Sequence, residues 1–268
     1  MCPSVTDRSN SFAARVQRRL GLGGLVKPGT KSADPETPPQ HEDFAPVQSE
    51  LASRQNLDAD SNIEWNVERW GQEAGWTEHD SFGYQWSSGR TVHMAAGIAS
   101  FMDKHLRPYV DGRYDLDILE ISPGAGRVTV ELIRYAKSLT LVDLNEVPID
   151  ICRERLNYYP NDVTYVVNDG KSLSEAADRE YDLVVSYDSL VHVHPEIVRG
   201  YMEQSVELLR PGGIMWFDHS GKGANEKGRR SAVTAELIAQ WTEELGARLL
   251  EQTFRNSWDC LTVLERPA

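Results

Sequence analysis

The sequence predicts an α/β fold in which a doubly wound, mainly parallel sheet of seven strands carries helices on both faces. From residue 115 onward, short runs rich in β-branched residues alternate with segments whose apolar residues recur at helical spacing. The strand runs are apolar nearly throughout, which is typical of parallel strands buried on both faces. The first strand is followed at once by a glycine-rich turn, a common opening of ligand-binding α/β domains.

The element boundaries follow from these patterns. Strands are expected over residues 117–121, 139–142, 163–167, 181–186, 213–217, 248–254 and 260–264. Helices are expected over residues 128–136, 147–156, 195–209 and 234–245. The last two strands are joined only by residues 255–258, so we expect them to run antiparallel.

The chain before the sheet divides into two parts. Residues 1–60 contain a polar, proline-rich stretch at 27–40 that cannot bury a core, so we expect a disordered tail. Residues 61–110 hold four of the seven tryptophans and a helical pattern from Val92 to Leu106, which predicts a helical cap. The sheet domain then occupies residues 111–268.

Composition narrows the classes of partner. The formal net charge of -13 repels phosphate backbones, so nucleic acid is not an expected partner. No apolar run is long enough to form an integral membrane segment. The three cysteines lie far apart without metal-type spacing, which fits a reducing cytoplasm. Oligomeric state stays open, a homo-oligomer included.

Acidic residues end three successive predicted strands. Glu120 lies at the end of the first strand and Asp143 at the end of the second, while Asp169 follows the third. Because parallel strands present their carboxyl ends at one edge, we expect these carboxylates to line one ligand site. A buried Glu120 favours a cationic group, Asp143 suits ribose hydroxyls, and Asp169 suits an adenine amino group. The structural alternatives are a helix cap for Asp143 and a turn residue for Asp169.

The segment Glu120–Arg127 resembles the first motif of the class I S-adenosylmethionine-dependent methyltransferases, with Ser122 where glycine is usual. Residues 141–144 resemble the second motif of that family, and residues 209–213 resemble its turn before strand five. The resemblance covers residues 115–265 and implies a Rossmann-like methyltransferase fold with S-adenosylmethionine as cofactor. The expected cofactor-binding residues are Glu120, Ser122, Gly124, Gly126, Asp143, Leu144, Asn168, Asp169, Gly170, Tyr187, Trp86 and Arg90.

A narrower resemblance indicates the acceptor. Residues 167–173 and 186–193 look like methyltransferases of polysaccharide and sugar modification, which implies O-methylation of a sugar hydroxyl on a small-molecule or oligosaccharide acceptor. In the loop after strand four, His192 is the expected general base, because histidine titrates near neutral pH. Asp188 and His219 complete the expected catalytic set.

Acidic and histidine residues at the ends of predicted strands four and five could also form a metal site. By analogy with Mg²⁺-dependent sugar O-methyltransferases, Asp188, Asp218 and His219 could hold a divalent ion. The alternative is that these side chains only orient the base or the sugar.

Other functions remain open at this stage. A nicotinamide-dependent oxidoreductase shares the strand–glycine–helix opening, but its fingerprint requires a small residue three positions after Gly126, where Thr129 stands. A non-catalytic S-adenosylmethionine-binding module is another class, and within methyltransferases a non-sugar small molecule is an alternative acceptor. The tryptophans Trp65, Trp70 and Trp76 are equally explained as packing of the cap.

Overall fold

The computed structural model describes residues 57–71, 76, 91–224 and 230–268, with the side chains of residues 91–95 excepted. The expected tail up to residue 56 and the cofactor candidates Trp86 and Arg90 therefore lie outside the described residues. Residues 59–60, which the sequence assigned to the tail, are the first residues of a helix.

Seven strands form a single sheet. The strands are β1 (Leu116–Ile121), β2 (Ala136–Asp143), β3 (Asp162–Val167), β4 (Tyr181–Ser186), β5 (Leu209–Ser220), β6 (Arg248–Phe254) and β7 (Asp259–Glu265). Their order across the sheet is β3-β2-β1-β4-β5-β7-β6. In this order, the first five strands (β3, β2, β1, β4 and β5) are parallel to one another. Strand β7 is antiparallel to both β5 and β6. The predicted doubly wound sheet with a terminal antiparallel pair is confirmed.

Helices connect the strands on both faces. They are α1 (Ala59–Trp70), α2 (Thr91–His105), α3 (Arg107–Val110), α4 (Thr129–Leu132), α5 (Glu146–Leu156), α6 (Pro195–Leu208) and α7 (Ala235–Glu244). Only one predicted helix is much shorter than expected: α4 ends at Leu132, and Ala136 already belongs to β2. The reason is pairing, since Ala136 lies opposite Leu116 of the neighbouring strand.

Two apolar layers cover the sheet. One layer joins alternate strand residues such as Ile118 and Trp216 to α2 and α5, and the other joins residues such as Leu119 and Phe217 to α6 and α7. Helix α2 buries Ile98 in the first layer. It thus belongs to the helical layer of the sheet, whereas the sequence assigned it to a cap. Within the described part of the chain, no helix is long and apolar enough to cross a bilayer.

Candidate active site

The turn after β1 adopts the left-handed conformation three times. The φ angles are 55° at Ser122, 54° at Gly124 and 79° at Gly126. Ser122 therefore takes the conformation that the usual glycine would take, although a side chain makes it less favourable. A Cβ atom at Gly126 would lie 3.1 Å from the sulfur of Cys152, so the turn packs closely against α5 at this position. The tight turn predicted from the sequence is formed.

The side chain of Glu120, in the strand that leads into this turn, is buried in the interior of the protein. It is only 2% exposed, and its Oε2 accepts a hydrogen bond of 2.7 Å from the Thr129 hydroxyl. Burial raises the pKa of Glu120 to about 7, because the charged form loses its water. Thr129, which argued against a dinucleotide fingerprint, thus partners the acid of the first strand.

Asp143 occupies the equivalent end of the neighbouring strand. It is 6% exposed, and its Oδ1 accepts a 2.9 Å hydrogen bond from the backbone N–H of Asn145. Burial raises the pKa of Asp143 to about 6. The side-chain amide nitrogen of Asn145 is buried and has no hydrogen-bond partner within the described structure. Sequence reasoning missed Asn145, and an orphaned donor beside Asp143 fits a polar ligand at this edge.

The turn after β3 satisfies most of its own polar groups. One oxygen of Asp169 accepts backbone N–H bonds from Lys171 at 2.8 Å and from Ser172 at 2.7 Å. The Asn168 side chain donates to the carbonyl of Ser172 at 2.8 Å and accepts from the N–H of Gly170 at 3.1 Å. These bonds agree with the turn-residue alternative, and adenine binding by Asp169 stays a prediction.

Aromatic and apolar side chains from the N-terminal segment lie over two of these glycines. A Cβ atom at Gly124 would lie 2.7 Å from the Trp76 ring, and one at Gly170 would lie 3.3 Å from Ile63. The Trp76 indole N–H donates a 2.7 Å hydrogen bond to the carbonyl of Trp70, which fixes the ring. From the sequence alone, packing was at least as good an explanation for Trp76 as a ligand contact; in the structure its ring lies against the glycine turn.

Asp188, expected in the catalytic set, is locked into ion pairs. Its carboxylate lies 2.5 Å from Arg127 and also pairs with Arg255, while its backbone N–H donates to Asp218 at 2.6 Å. Although burial opposes ionisation, the two guanidinium groups hold the pKa of Asp188 well below its usual range. Asp188 is therefore a poor proton acceptor at neutral pH.

These contacts extend into a larger arginine–aspartate cluster. Arg255 lies 2.7 Å from Asp218 and 3.2 Å from Asp259, and Arg230 donates to Asp259 at 2.9 Å. The guanidinium groups of Arg127 and Arg255 also lie over the ring of Tyr187, at 5.4 Å and 4.9 Å from its centroid. The members of the cluster are Arg127, Asp188, Asp218, Arg230, Arg255 and Asp259. It ties the glycine turn to the loop after β4 and to the last two strands.

The predicted metal ligands do not converge. Asp218 and His219 are consecutive in β5, so their side chains leave opposite faces of the sheet. His219 is fully buried, with one ring nitrogen 2.9 Å from the carbonyl of Ser220 and the other 2.8 Å from the hydroxyl of Thr262. Burial lowers the pKa of His219 to about 4.

These contacts correct two of the sequence-based assignments. No group of three or more His, Cys, Asp or Glu residues in the described ranges is arranged to hold a metal. The expected Mg²⁺ site is therefore not formed by Asp188, Asp218 and His219. His219 is fully buried, and both of its ring nitrogens lie within hydrogen-bond distance of protein oxygens, which argues against a direct catalytic role.

His192 lies at the rim of the site. It ends a short 3₁₀ turn (Leu190–His192) after β4 and is partly exposed. Its ring centroid is 5.9 Å from that of Trp70. His194, by contrast, caps α6 with a ring nitrogen that accepts from the N–H of Glu196 at 3.3 Å. His194 is therefore the N-cap of α6, and the catalytic role of His192 stays a prediction.

Comparisons with known proteins agree with this geometry. Residues 118–213 match the family model described as a methyltransferase domain. Nodulation protein S of Azorhizobium caulinodans is 35% identical over 107 residues, which cover 40% of this chain and 50% of that protein. A ubiquinone biosynthesis O-methyltransferase of Shewanella pealeana is 23% identical over 114 residues, covering 41% and 47%. The chain thus spans about half the length of these curated relatives.

Solved structures share the fold. The N-methyltransferase NodS of Bradyrhizobium japonicum, in complex with S-adenosyl-L-homocysteine, superimposes with a TM-score of 0.56 at 20% identity, covering 77% of this chain and 100% of that one. The magnesium protoporphyrin IX methyltransferase of Synechocystis with bound SAM gives a TM-score of 0.57 at 15% identity, covering 78% and 98%. Residues 118–213 are thus similar to a methyltransferase domain, and the chain shares its fold with solved methyltransferase structures.

Proposed function

We propose that this protein transfers the methyl group of S-adenosylmethionine to a hydroxyl group of a sugar or polysaccharide precursor. The observation that carries methyl transfer is the pair of buried carboxylates, Glu120 and Asp143, at the ends of adjacent strands beside the left-handed turn. The sugar acceptor rests on the resemblance of residues 167–173 and 186–193 to sugar-modifying methyltransferases.

The described residues suit the cofactor in chemical terms. Gly124 and Gly126 allow the turn its left-handed conformations, and Glu120 supplies negative charge for the cationic amino-acid end. Asp143 supplies acceptor oxygens for ribose hydroxyls, and the orphaned amide of Asn145 adds a donor. When bound, S-adenosylmethionine supplies an electrophilic methyl group on a sulfonium.

His192 is the proposed general base. It would accept the proton that the acceptor hydroxyl loses as the oxygen bonds to the methyl carbon, while the carbon–sulfur electron pair returns to sulfur. Asp188 is held between two guanidinium groups and His194 caps α6, so neither suits that task. The remaining contribution of the chain is positioning and exclusion of water.

An amine acceptor is the second candidate. It is favoured by the similarity to nodulation protein S and to the structure described as N-methyltransferase NodS. Labelled S-adenosylmethionine with matched sets of sugars, phenols and amines separates the two. Methylation of amines alone would replace the sugar proposal, and cofactor binding without transfer to any acceptor would favour a non-catalytic module. Calorimetric binding of NAD but not of S-adenosylhomocysteine would reject methyl transfer altogether.

Replacing His192 with alanine is expected to lower kcat by about 10² to 10⁴, the range typical of a general base. The affinity for S-adenosylhomocysteine should stay within about twofold, since no cofactor group is removed. The measurement is kcat from labelled methyl transfer, beside calorimetric Kd. His194→Ala is the matched control and should change only stability, by ~1 kcal/mol through the lost cap. Equal turnover of wild type and His192→Ala would exclude His192 as the base.

Cofactor affinity is expected to fall as the pH is lowered through 7 and then through 6. Without ligand, burial raises the pKa of Glu120 to about 7 and that of Asp143 to about 6. A cationic nucleoside ligand binds the ionised forms, so protonation of either carboxyl competes with it. Calorimetry between pH 5.5 and 8.5 should therefore show Kd rising toward acid, and Glu120→Gln should remove the step near pH 7. A Kd independent of pH would contradict this account of the two carboxyls.

A further inference from the structure

One face of α1 presents polar and aromatic side chains to the loop that carries His192. Asn62, Asn66 and Trp70 recur every four residues and so lie on the same side of the helix. Asn62 is 8% exposed and Asn66 is 6% exposed, although both are polar. A buried polar stripe on a helix needs partners, because each unsatisfied amide is costly.

Asn62 uses both ends of its amide on backbone groups around His192. Its Nδ2 donates to the carbonyl oxygen of His192 at 3.1 Å, and its Oδ1 accepts from the N–H of His194 at 3.0 Å. The two bonds lie on either side of Val193 and join residues more than a hundred positions apart. They fix the direction in which the chain leaves His192.

The next two residues of the stripe support this contact. Asn66 donates to the carbonyl oxygen of Asn62 at 2.8 Å and accepts from the Trp70 indole N–H at 3.2 Å. The Trp70 ring lies 5.9 Å from the His192 ring with an interplanar angle of 38°. Helix α1 therefore contacts both the backbone and the ring of the same histidine.

Helix stability does not explain these asparagines. Asparagine is a poorer helix former than alanine, and an apolar side chain would bury more hydrophobic area at either position. What Asn62 supplies instead is a donor and an acceptor placed for one backbone geometry of the loop. A pair of directional bonds selects a single conformation, which apolar contact does not.

We propose that Asn62 is a positioning residue that, together with Trp70, holds His192 in place for proton transfer. The inference rests on the proposed function, because it takes His192 as the base. It assigns to the N-terminal helix, whose last residue Trp70 accepts the hydrogen bond from Trp76, a part in the methyl-transfer step.

The test is Asn62→Ala in the full chain. Alanine favours the helix, so α1 should persist while the loop loses both bonds. We expect kcat to fall at least about tenfold, as for a misplaced catalytic group, with Kd for S-adenosylhomocysteine and KM for the acceptor within about twofold. The profile of kcat against pH should contain a limb that disappears in His192→Ala. The apparent pKa of that limb should shift in Asn62→Ala. Asn62→Ala combined with His192→Ala should be no slower than His192→Ala alone.

Two comparisons sharpen the test. Glu68→Ala alters an exposed residue of the same helix and should leave all these constants unchanged. Asn62→Asp keeps an acceptor for His194 but loses the donor to His192, so it should resemble Asn62→Ala if the His192 bond is the one that matters. Amide hydrogen exchange at His194 should accelerate in Asn62→Ala, which reports the loop without turnover.

The outcomes are distinguishable. Unchanged kcat in Asn62→Ala with faster exchange at His194 would overturn the positioning role. A loss of S-adenosylhomocysteine affinity equal to the loss of turnover would also overturn it, because α1 would then serve the cofactor and not the base. A wild-type protein that neither binds S-adenosylhomocysteine nor transfers methyl groups would reject the proposed function itself, and this assignment with it.

Discussion

Asp143→Asn is expected to weaken binding of S-adenosylhomocysteine about 100-fold while leaving the unliganded protein at least as stable as wild type. Hydrogen bonds to a charged acceptor contribute roughly 1.5 to 3 kcal/mol each, and loss of charge at two ribose contacts amounts to about 3 kcal/mol, or about two orders of magnitude in Kd. Asparagine keeps the size of the side chain and one acceptor oxygen for the N–H of Asn145.

The stability half of this expectation follows from the pKa of Asp143. Burial raises that pKa to about 6 from the ordinary aspartate value of 3.8, so the folded state holds the proton more tightly than the unfolded chain does. The stability that this group contributes is therefore full below about pH 4 and is lost as the pH rises through 6. At pH 8 the buried, ionised carboxylate lowers the free energy of unfolding of the unliganded protein. A neutral amide at this position removes that destabilisation.

Asp150→Asn supplies the matched control. Its carboxylate is on the exposed surface of α5, and its removal should change neither Kd nor the midpoint of thermal unfolding. Calorimetry and thermal unfolding of the same preparations check both halves. A variant Asp143→Asn that binds like wild type, or that unfolds at a much lower temperature without ligand, would mean that Asp143 is a structural cap and not a cofactor residue.

The parts of the fold that sequence reasoning identified are those that depend on local pattern. The strand expected over residues 181–186 is β4 to the residue, because the tyrosine, leucine and valines of this stretch favour a strand locally. The helix expected to reach residue 136 ends at Leu132, because pairing of Ala136 with a neighbouring strand overrides helical spacing. Local pattern carries no information about which strand a residue will meet.

The residues of the candidate site show the same distinction between what local pattern predicts and what depends on distant contacts. The placing of Glu120 and Asp143 at the ends of adjacent strands could be predicted because strand ends of a parallel sheet meet at one edge, a rule that needs no contact information; their role toward the cofactor stays a prediction. Asn62 and Arg255 were missed because their roles depend on partners more than sixty residues away. The sequence already contained an argument against the predicted metal ligands. Asp218 and His219 are adjacent in a strand, and neighbouring strand residues face opposite ways.

Arg255→Met is expected to lower the free energy of unfolding by about 3 to 5 kcal/mol. Removing one partner of a buried ion pair leaves the other charge without compensation, and here two carboxylates, Asp188 and Asp218, lose a guanidinium at once. Methionine fills much of the same volume, so the loss reports charge more than packing. Urea titration followed by tryptophan fluorescence measures the change.

Arg248→Met is the control, at the opposite end of β6 from Arg255, which follows the last residue of that strand. The Arg248 side chain is 65% exposed against 12% for Arg255, and its surface pair with Glu265 should contribute less than about 1 kcal/mol. Equal losses in the two variants would show that the arginine–aspartate cluster contributes no more to stability than a surface pair.

Charge balance can be separated from geometry with a second substitution. The cluster holds three arginines and three aspartates, so Arg255→Met leaves one buried negative charge in excess. Burial already raises the pKa of Asp218 well above its usual range, and without the guanidinium that pKa should rise further, so the destabilisation should be larger at pH 8 than at pH 6. Adding Asp218→Asn should restore part of the lost stability at pH 8. Asparagine keeps an oxygen that can accept from the N–H of Asp188, so further destabilisation would show that the loss in Arg255→Met does not come from excess negative charge at Asp218.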